Sequence, residues 1–357
     1  MDRPTRRART GLRATAAAAV VATCLAACTT QPTKDDLELP SPTRSGARPG
    51  QSGEDVHTVD SSTPYVYLPA PQGDPEQDYG SLYLPPGRFA NGSIPVVVMI
   101  HGGGWKKKAG LSYMSGAARS LQEAGVAVWN IEYRRVGSGG GWPTTFTDVA
   151  RGIDFVKTLS TTVAPQLDVD NVTILGHSAG GELAAWAGAR RTLPPGAPGA
   201  GPLVMPRTTV SLSGVLDMAA SAHYNNHVRN VLGGMPDQVP DRYALVNPLQ
   251  RIDPSVPAVV VHGTKDRVVP SFESVEYARA LSASGGHSYL LELAGANHGQ
   301  TISVSSRWWP RIRSLVVAVA KLGFAAATTA AEPPRPVAPS QAGSAGLARN
   351  AAGAPPR

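Results

Sequence analysis

The sequence predicts an α/β domain built on a mostly parallel central sheet with helices on both faces. Four apolar runs, at residues 95–100, 126–131, 172–175 and 256–261, are continuous rather than alternating, as expected of strands covered on both sides, and 208–212 reads as a further strand. Segments with helical character at 115–124, 146–159, 182–189, 271–284 and 307–325 are interleaved with them. Strand–helix alternation of this kind favours a parallel sheet. The third observation is local: Gly176-His177-Ser178-Ala179-Gly180 stands where one buried strand gives way to a helix.

The chain of 357 residues is long enough for one such domain of roughly 250–280 residues with tails. The N-terminal segment does not read as part of the fold. Arg3, Arg6, Arg7, Arg9 and Arg13 precede an apolar stretch at 14–21 and then Leu25-Ala26-Ala27-Cys28, the layout of a secretory signal peptide. Leu-Ala-Ala-Cys resembles the bacterial lipoprotein lipobox. The resemblance implies a lipid on Cys28, cleavage before it, export, and attachment to the outer face of the cell membrane through that anchor alone.

Charge and cysteines follow from this division. The five arginines and Asp2 carry a net +4, which leaves the remainder at +3 of the formal +7, so the basic balance does not argue for nucleic acid. Of the two cysteines, Cys24 lies in the signal and Cys28 at its end, which leaves the domain without a disulfide.

Four regions are expected: a signal at 1–27, a flexible tether at 28–54, the domain at 55–325 and a disordered Ala/Pro/Gly-rich tail at 326–357. The first strands come from 63–68 and 79–84, which alternate, and another lies at 287–293. Residues 219–250 hold several turns and no clean strand, the expected place of a small helical cap. Arg311, Arg313 and Lys321 argue against a membrane span in the last helix.

In an α/β sheet, active residues gather where strands end. Ser178 sits between a strand and a helix, with Gly176 and Gly180 letting the two pass close to it. The amide of Ala179, at the positive end of that helix, faces the place where an oxyanion would form. Strand 95–100 runs into His101-Gly102-Gly103-Gly104-Trp105, where three glycines let backbone N–H groups approach a bound group. His101 is read as a brace for this loop. Lys106-Lys107-Lys108 follows at the expected mouth of the site, either a solvated face or a preference for anions. Trp142-Pro143 either walls the acyl pocket or packs a loop. Asp266 and His298 each follow a later strand, so nucleophile, acid and base come in the order Ser178, Asp266, His298. Asp217 and Asp253 compete for the acid, and His223, His227, His262 and His287 for the base.

Gly-x-Ser-x-Gly on a strand–turn–helix resembles the nucleophile elbow, and His-Gly-Gly-Gly the oxyanion loop of lipases and esterases. With His262-Gly263-Thr264-Lys265-Asp266 and Ala296-Asn297-His298-Gly299, residues 79–324 resemble an α/β-hydrolase-fold serine esterase. They are closest to the hormone-sensitive-lipase-like carboxylesterases and kynurenine-formamidase-like acyl hydrolases. The former usually carry Asp where this chain has His177, which leans toward the formamidase-like and feruloyl/acetyl-esterase side.

The resemblance implies catalysis by Ser178, Asp266 and His298. It adds the amides of Gly103 and Gly104 to that of Ala179 in an oxyanion hole, with no metal or cofactor. A small-molecule ester of short to medium chain is the expected substrate. Alternatives are an amide hydrolase of formamidase or peptidase type, or a surface lipoprotein that binds a ligand on a catalytically dead scaffold.

Overall fold

The computed structural model describes residues 62–331. The segments expected as signal peptide and tether, with Cys28, and the part of the expected tail beyond Ala331 lie outside the described residues. Eight strands form one sheet: β1 (Thr63–Val66), β2 (Tyr79–Tyr83), β3 (Ile94–Ile100), β4 (Ala127–Ile131), β5 (Leu167–His177), β6 (Thr208–Leu212), β7 (Ala258–Gly263) and β8 (Ser288–Leu293). They lie in the order β1-β2-β4-β3-β5-β6-β7-β8. β1 and β2 pair antiparallel, as do β2 and β4, and every other neighbouring pair is parallel.

The apolar strand runs are explained by burial on both faces. Val96, Val98 and Ile100 of β3 point to one core with Trp129 and Ile131 of β4, while Val97 and Met99 point to the other. Against the first face pack α2 (Thr144–Thr162) and α3 (Ala179–Gly188), and against the second α1 (Ser115–Glu123) and α8 (Trp309–Leu322). The buried indole of Trp129 donates to the Gly152 carbonyl at 2.8 Å, which pins α2 to the sheet. α7 (Phe272–Ala283) covers Val260 of β7 through Tyr277 and Leu281.

This topology opens the site. Strand β3 has β4 on one side and β5 on the other. The chain leaves β3 toward α1 on one face and leaves β5 toward α3 on the opposite face. Their carboxyl ends therefore diverge into a crevice, the usual ligand position at a topological switch point. Three short helices, α4 (Met218–Tyr224), α5 (Asn226–Leu232) and α6 (Pro240–Val246), occupy the region expected to form a cap.

Two boundaries differ from expectation. Helix α3 begins at Ala179, directly behind the serine, and not at residue 182. Residues 326–330, expected in the tail, are helical: α8 breaks at Gly323, whose φ is 83°, and α9 (Phe324–Ala330) follows with Ala327 buried. Small alanines suit a tail, but they also suit a helix that can press one against the core. Among the described residues no helix is long and apolar enough to cross a membrane.

The elbow depends on missing side chains. A Cβ on Gly176 would lie 1.8 Å from the Gly180 carbonyl oxygen, a backbone atom that cannot move aside cheaply. Gly176→Ala is therefore expected to cost on the order of 3 kcal/mol or more in urea unfolding; a loss below about 1 kcal/mol would show that the strand–helix contact is looser than described.

Candidate active site

Ser178 lies between β5 and α3 with φ 57° and ψ −123°, backbone angles that a residue with a Cβ rarely adopts. Its amide donates to the Leu212 carbonyl at 2.9 Å, and its carbonyl accepts from Gly181 and Glu182 in the first turn of α3. The turn is thus held from both sides, and the serine side chain faces a cavity of about 520 Å3. His298 lines the same cavity.

Asp266, on the loop after β7, is fully buried at its side chain. Its Oδ2 accepts from His298 Nδ1 at 2.7 Å, and its Oδ1 from the amides of Val268 and Val269 at 2.8 and 3.0 Å. His262 reaches Oδ2 from the other side at 3.3 Å. Burial alone would raise this carboxyl. The hydrogen bonds from His262, His298 and the Val269 amide outweigh it and hold Asp266 well below the usual carboxylate range. A permanent anion there selects the His298 tautomer with Nδ1 protonated and leaves Nε2 as the basic nitrogen. No hydrogen bond joins Ser178 to His298 in this structure; such contacts commonly tighten when substrate binds.

The glycine loop after β3 closes the other side. Gly103 and Gly104 have φ of 103° and 64°, the left-handed region. Among the described residues the amides of Gly103, Gly104 and Ala179 donate to no other protein group, and all three residues line the cavity. His101 is fully buried behind this loop, with Nε2 2.7 Å from Glu132 Oε1 and its ring stacked on Tyr133 at 4.4 Å. It braces the loop.

Three of the competing residues, Asp253, Asp217 and His262, are occupied elsewhere, and His227 lines the cavity from the cap side. Asp253 is paired with Arg191, and Asp217 caps α4 through the Ala220 amide. His262 bonds Ser274 and the Val269 carbonyl behind Asp266. Trp142 packs on Phe146 with the Arg242 guanidinium 5.8 Å from its ring centre, and it is not among the cavity residues. Its place is in the loop packing.

A family model described as BD-FAE matches residues 81–281, more than half of the chain. The chain belongs to the BD-FAE family. Curated relatives include esterase LipQ of Mycobacterium tuberculosis, 28% identical over 68% of this chain and 56% of the relative, and esterase LipC of the same organism, 26% identical over 62% and 57%. The chain thus spans little more than half the length of the curated relatives it matches. Among solved structures, a truncated carbohydrate esterase from gut microbiota superposes with TM-score 0.60 at 23% identity, covering 76% of this chain and 99% of that one. Est2, an esterase of Thermogutta terrifontis, gives TM-score 0.61 at 20% identity, covering 75% and 95%. The likeness to both structures is one of fold, that of the α/β-hydrolases.

Two residues of this BD-FAE chain become visible only in three dimensions. Tyr113, from a short 3-10 turn before α1, accepts the Gly102 amide at 3.0 Å and lies 2.6 Å from His177 Nδ1. His177 Nε2 in turn lies 3.1 Å from the His298 carbonyl, which can only accept. Nε2 therefore carries the proton, Nδ1 accepts from the Tyr113 hydroxyl, and neutral His177 ties the glycine loop to the loop of His298. Burial first, then the neighbouring His298, push the His177 imidazole down to about 3.

An unfolded histidine titrates near pH 6.5. Between pH 6.5 and 3 the unfolded chain therefore binds the extra proton, and stability falls as pH is lowered through that window. Relative to His177→Gln, which keeps a donor and an acceptor without titrating, the wild type is expected to lose roughly 2–3 kcal/mol more between pH 6.5 and 4.5. Parallel stability curves in denaturant titrations would contradict a neutral, load-sharing His177.

Proposed function

We propose that this protein is a serine carboxylesterase acting on short- to medium-chain carboxylic esters through an acyl-enzyme. The observation that carries the proposal is the convergence on one cavity of Ser178 in a strained turn, a histidine fixed by an ionised Asp266, and three unpartnered backbone amides. Relatives named as esterases and a structural neighbour named as a carbohydrate esterase support the same reading.

In the first half-reaction His298 Nε2 takes the Ser178 proton as Oγ attacks the ester carbonyl. The carbonyl oxygen becomes an oxyanion facing Gly103, Gly104 and Ala179. Each such donor is worth roughly 3–4 kcal/mol in the transition state, because it is already oriented when the charge develops. The imidazolium, stabilised by Asp266, then protonates the departing alkoxide. Water repeats the sequence on the acyl-enzyme, returning the acid and free Ser178. The strained backbone keeps Oγ presented throughout, so little reorganisation is left for the chemical step.

Chain-length selectivity follows from the cavity. A space of about 520 Å3, bordered by Asn225 and His227 at the start of α5, fits a small ester. With 4-nitrophenyl acetate, butyrate, octanoate and palmitate, turnover is expected to peak at the short acyl chains. Ser178→Ala should lower kcat by roughly 10⁶ with its melting transition retained; residual activity near wild type would sink the assignment.

Export and attachment through a lipid on Cys28 belong to the same proposal, supported by the basic, apolar and Leu-Ala-Ala-Cys segments in sequence. In a bacterial host, Cys28→Ala is expected to shift the protein from the membrane fraction to the soluble fraction; an unchanged distribution would contradict the anchor.

A further inference from the structure

The cavity beside Ser178 has a largely apolar lining that carries several hydrogen-bond donors and no acid. Lys108 lines it, and so do Asn225 and His227 from the cap side, whereas no Asp or Glu is among its lining residues. The two carboxylates just behind it are already matched. Asp266 is held by His298, His262 and two amides, and Glu132 by His101, Arg135 and the Leu111 amide. Asn225 spends its Oδ1 on the amides of His227 and Val228, capping α5, so its Nδ2 hydrogens are left to donate. Lys106 acts electrostatically on His227 and disfavours its protonation further, beyond the effect of burial. Neither Lys106 nor Lys108 makes an ion pair among the described residues.

These charges stand on a fixed platform. The amide of Lys106 bonds the Gly103 carbonyl at 3.3 Å, that of Ala109 bonds the Lys106 carbonyl at 3.2 Å, and that of Lys107 bonds the Val136 carbonyl at 3.2 Å. Arg135 donates to the Ala109 carbonyl from beneath. The loop that presents the amides of Gly103 and Gly104 therefore also carries Lys106 and Lys108 at a set place relative to the reacting carbonyl. His227 lies directly over Gly104, where a Cβ would come within 2.4 Å of its Nδ1.

We propose that the ester this site takes bears a carboxylate, received at the cavity mouth by Lys108 and the Asn225 amide nitrogen, with Lys106 reinforcing the field. This rests on the esterase reading and names its substrate class. An unpaired lysine and an amide nitrogen at the edge of a cavity with no competing anion are complementary to a carboxylate, whereas a neutral ester meets the apolar lining and has no equivalent charged partner. A carboxylate on the acyl side or on the alcohol side of the ester presents the same chemistry, and the two are separated by the choice of substrate.

The test compares matched pairs on the full protein. Mono-4-nitrophenyl glutarate against 4-nitrophenyl butyrate probes the acyl side, and 4-acetoxybenzoate against phenyl acetate probes the alcohol side. Each kcat/KM is divided by the rate of the same ester with hydroxide. In at least one pair the anionic ester is expected to lead by tenfold or more. The anionic-to-neutral ratio should fall at least tenfold in K106E/K108E, less in K106Q/K108Q, and progressively as sodium chloride rises from 20 to 500 mM.

A ratio near one in both pairs, or a ratio untouched by charge reversal, would overturn the proposal while neutral turnover leaves the esterase reading standing. If no ester turns over, the esterase reading fails on its own. Calorimetric titration with glutarate and with 4-hydroxybenzoate then decides the carboxylate site: binding that weakens tenfold in K106E/K108E supports it, and no binding overturns it.

Discussion

The molecule depends on how closely three backbone segments pass around Ser178. Gly176 and Gly180 face each other at a separation that excludes a side chain, and a Cβ on Gly102 would meet the His177 carbonyl at 2.4 Å. Those contacts force the serine into the left-handed region, at a cost of about 1–3 kcal/mol for a residue with a Cβ. The strain persists because eight strands and the two cores around them over-determine the turn. The same closeness brings the unpartnered amides of the glycine loop within reach of one carbonyl group. Strand pairing, helix packing and site geometry are thus a single arrangement seen at different scales.

Electrostatics completes it. Asp266 is an anion that burial would neutralise, kept ionised by two histidines and two amides. His177 sits on the other side of His298 and is kept neutral by burial and by that neighbour. A charged His177 would repel positive charge on the neighbouring His298, and it would lose its acceptor for Tyr113. The two histidines therefore carry different charge behaviour a few ångströms apart, with ring centres 4.7 Å from each other. At the mouth, Lys106 and Lys108 stand on the glycine loop with no ion pair among the described residues.

Much of this was legible in the sequence, for identifiable reasons. Two-face burial writes continuous apolar runs, so most of β3 to β7 were readable, and chain order selected Asp266 and His298 from several candidates, of which the structure pairs Asp217, Asp253 and His262 with other groups and places His227 across the cavity on the cap side. Contacts between distant segments leave no such trace. Tyr113 arrives at the site through a short 3-10 turn that has no periodicity, and its partner His177 stands out in sequence only as a departure from the usual Asp, with nothing to show that it bridges two loops. Glu182 reads as a solvent-facing helix charge, yet it is fully buried and its carboxyl is pushed well up. Trp142 stands in a loop on the active-site side of the sheet, but its ring turns toward Phe146. The alanines at 325–327 carry no period that separates a packed helix from a tail.

The central claim is that Ser178 is the nucleophile and that the fold makes it one. Mass spectrometry after treatment with a fluorophosphonate tests this most directly, with a heat-unfolded sample alongside. One phosphonyl adduct per chain is expected, mapped to the peptide containing Ser178 and absent from the unfolded protein. No adduct on the folded protein, or an adduct on a different serine, would contradict it.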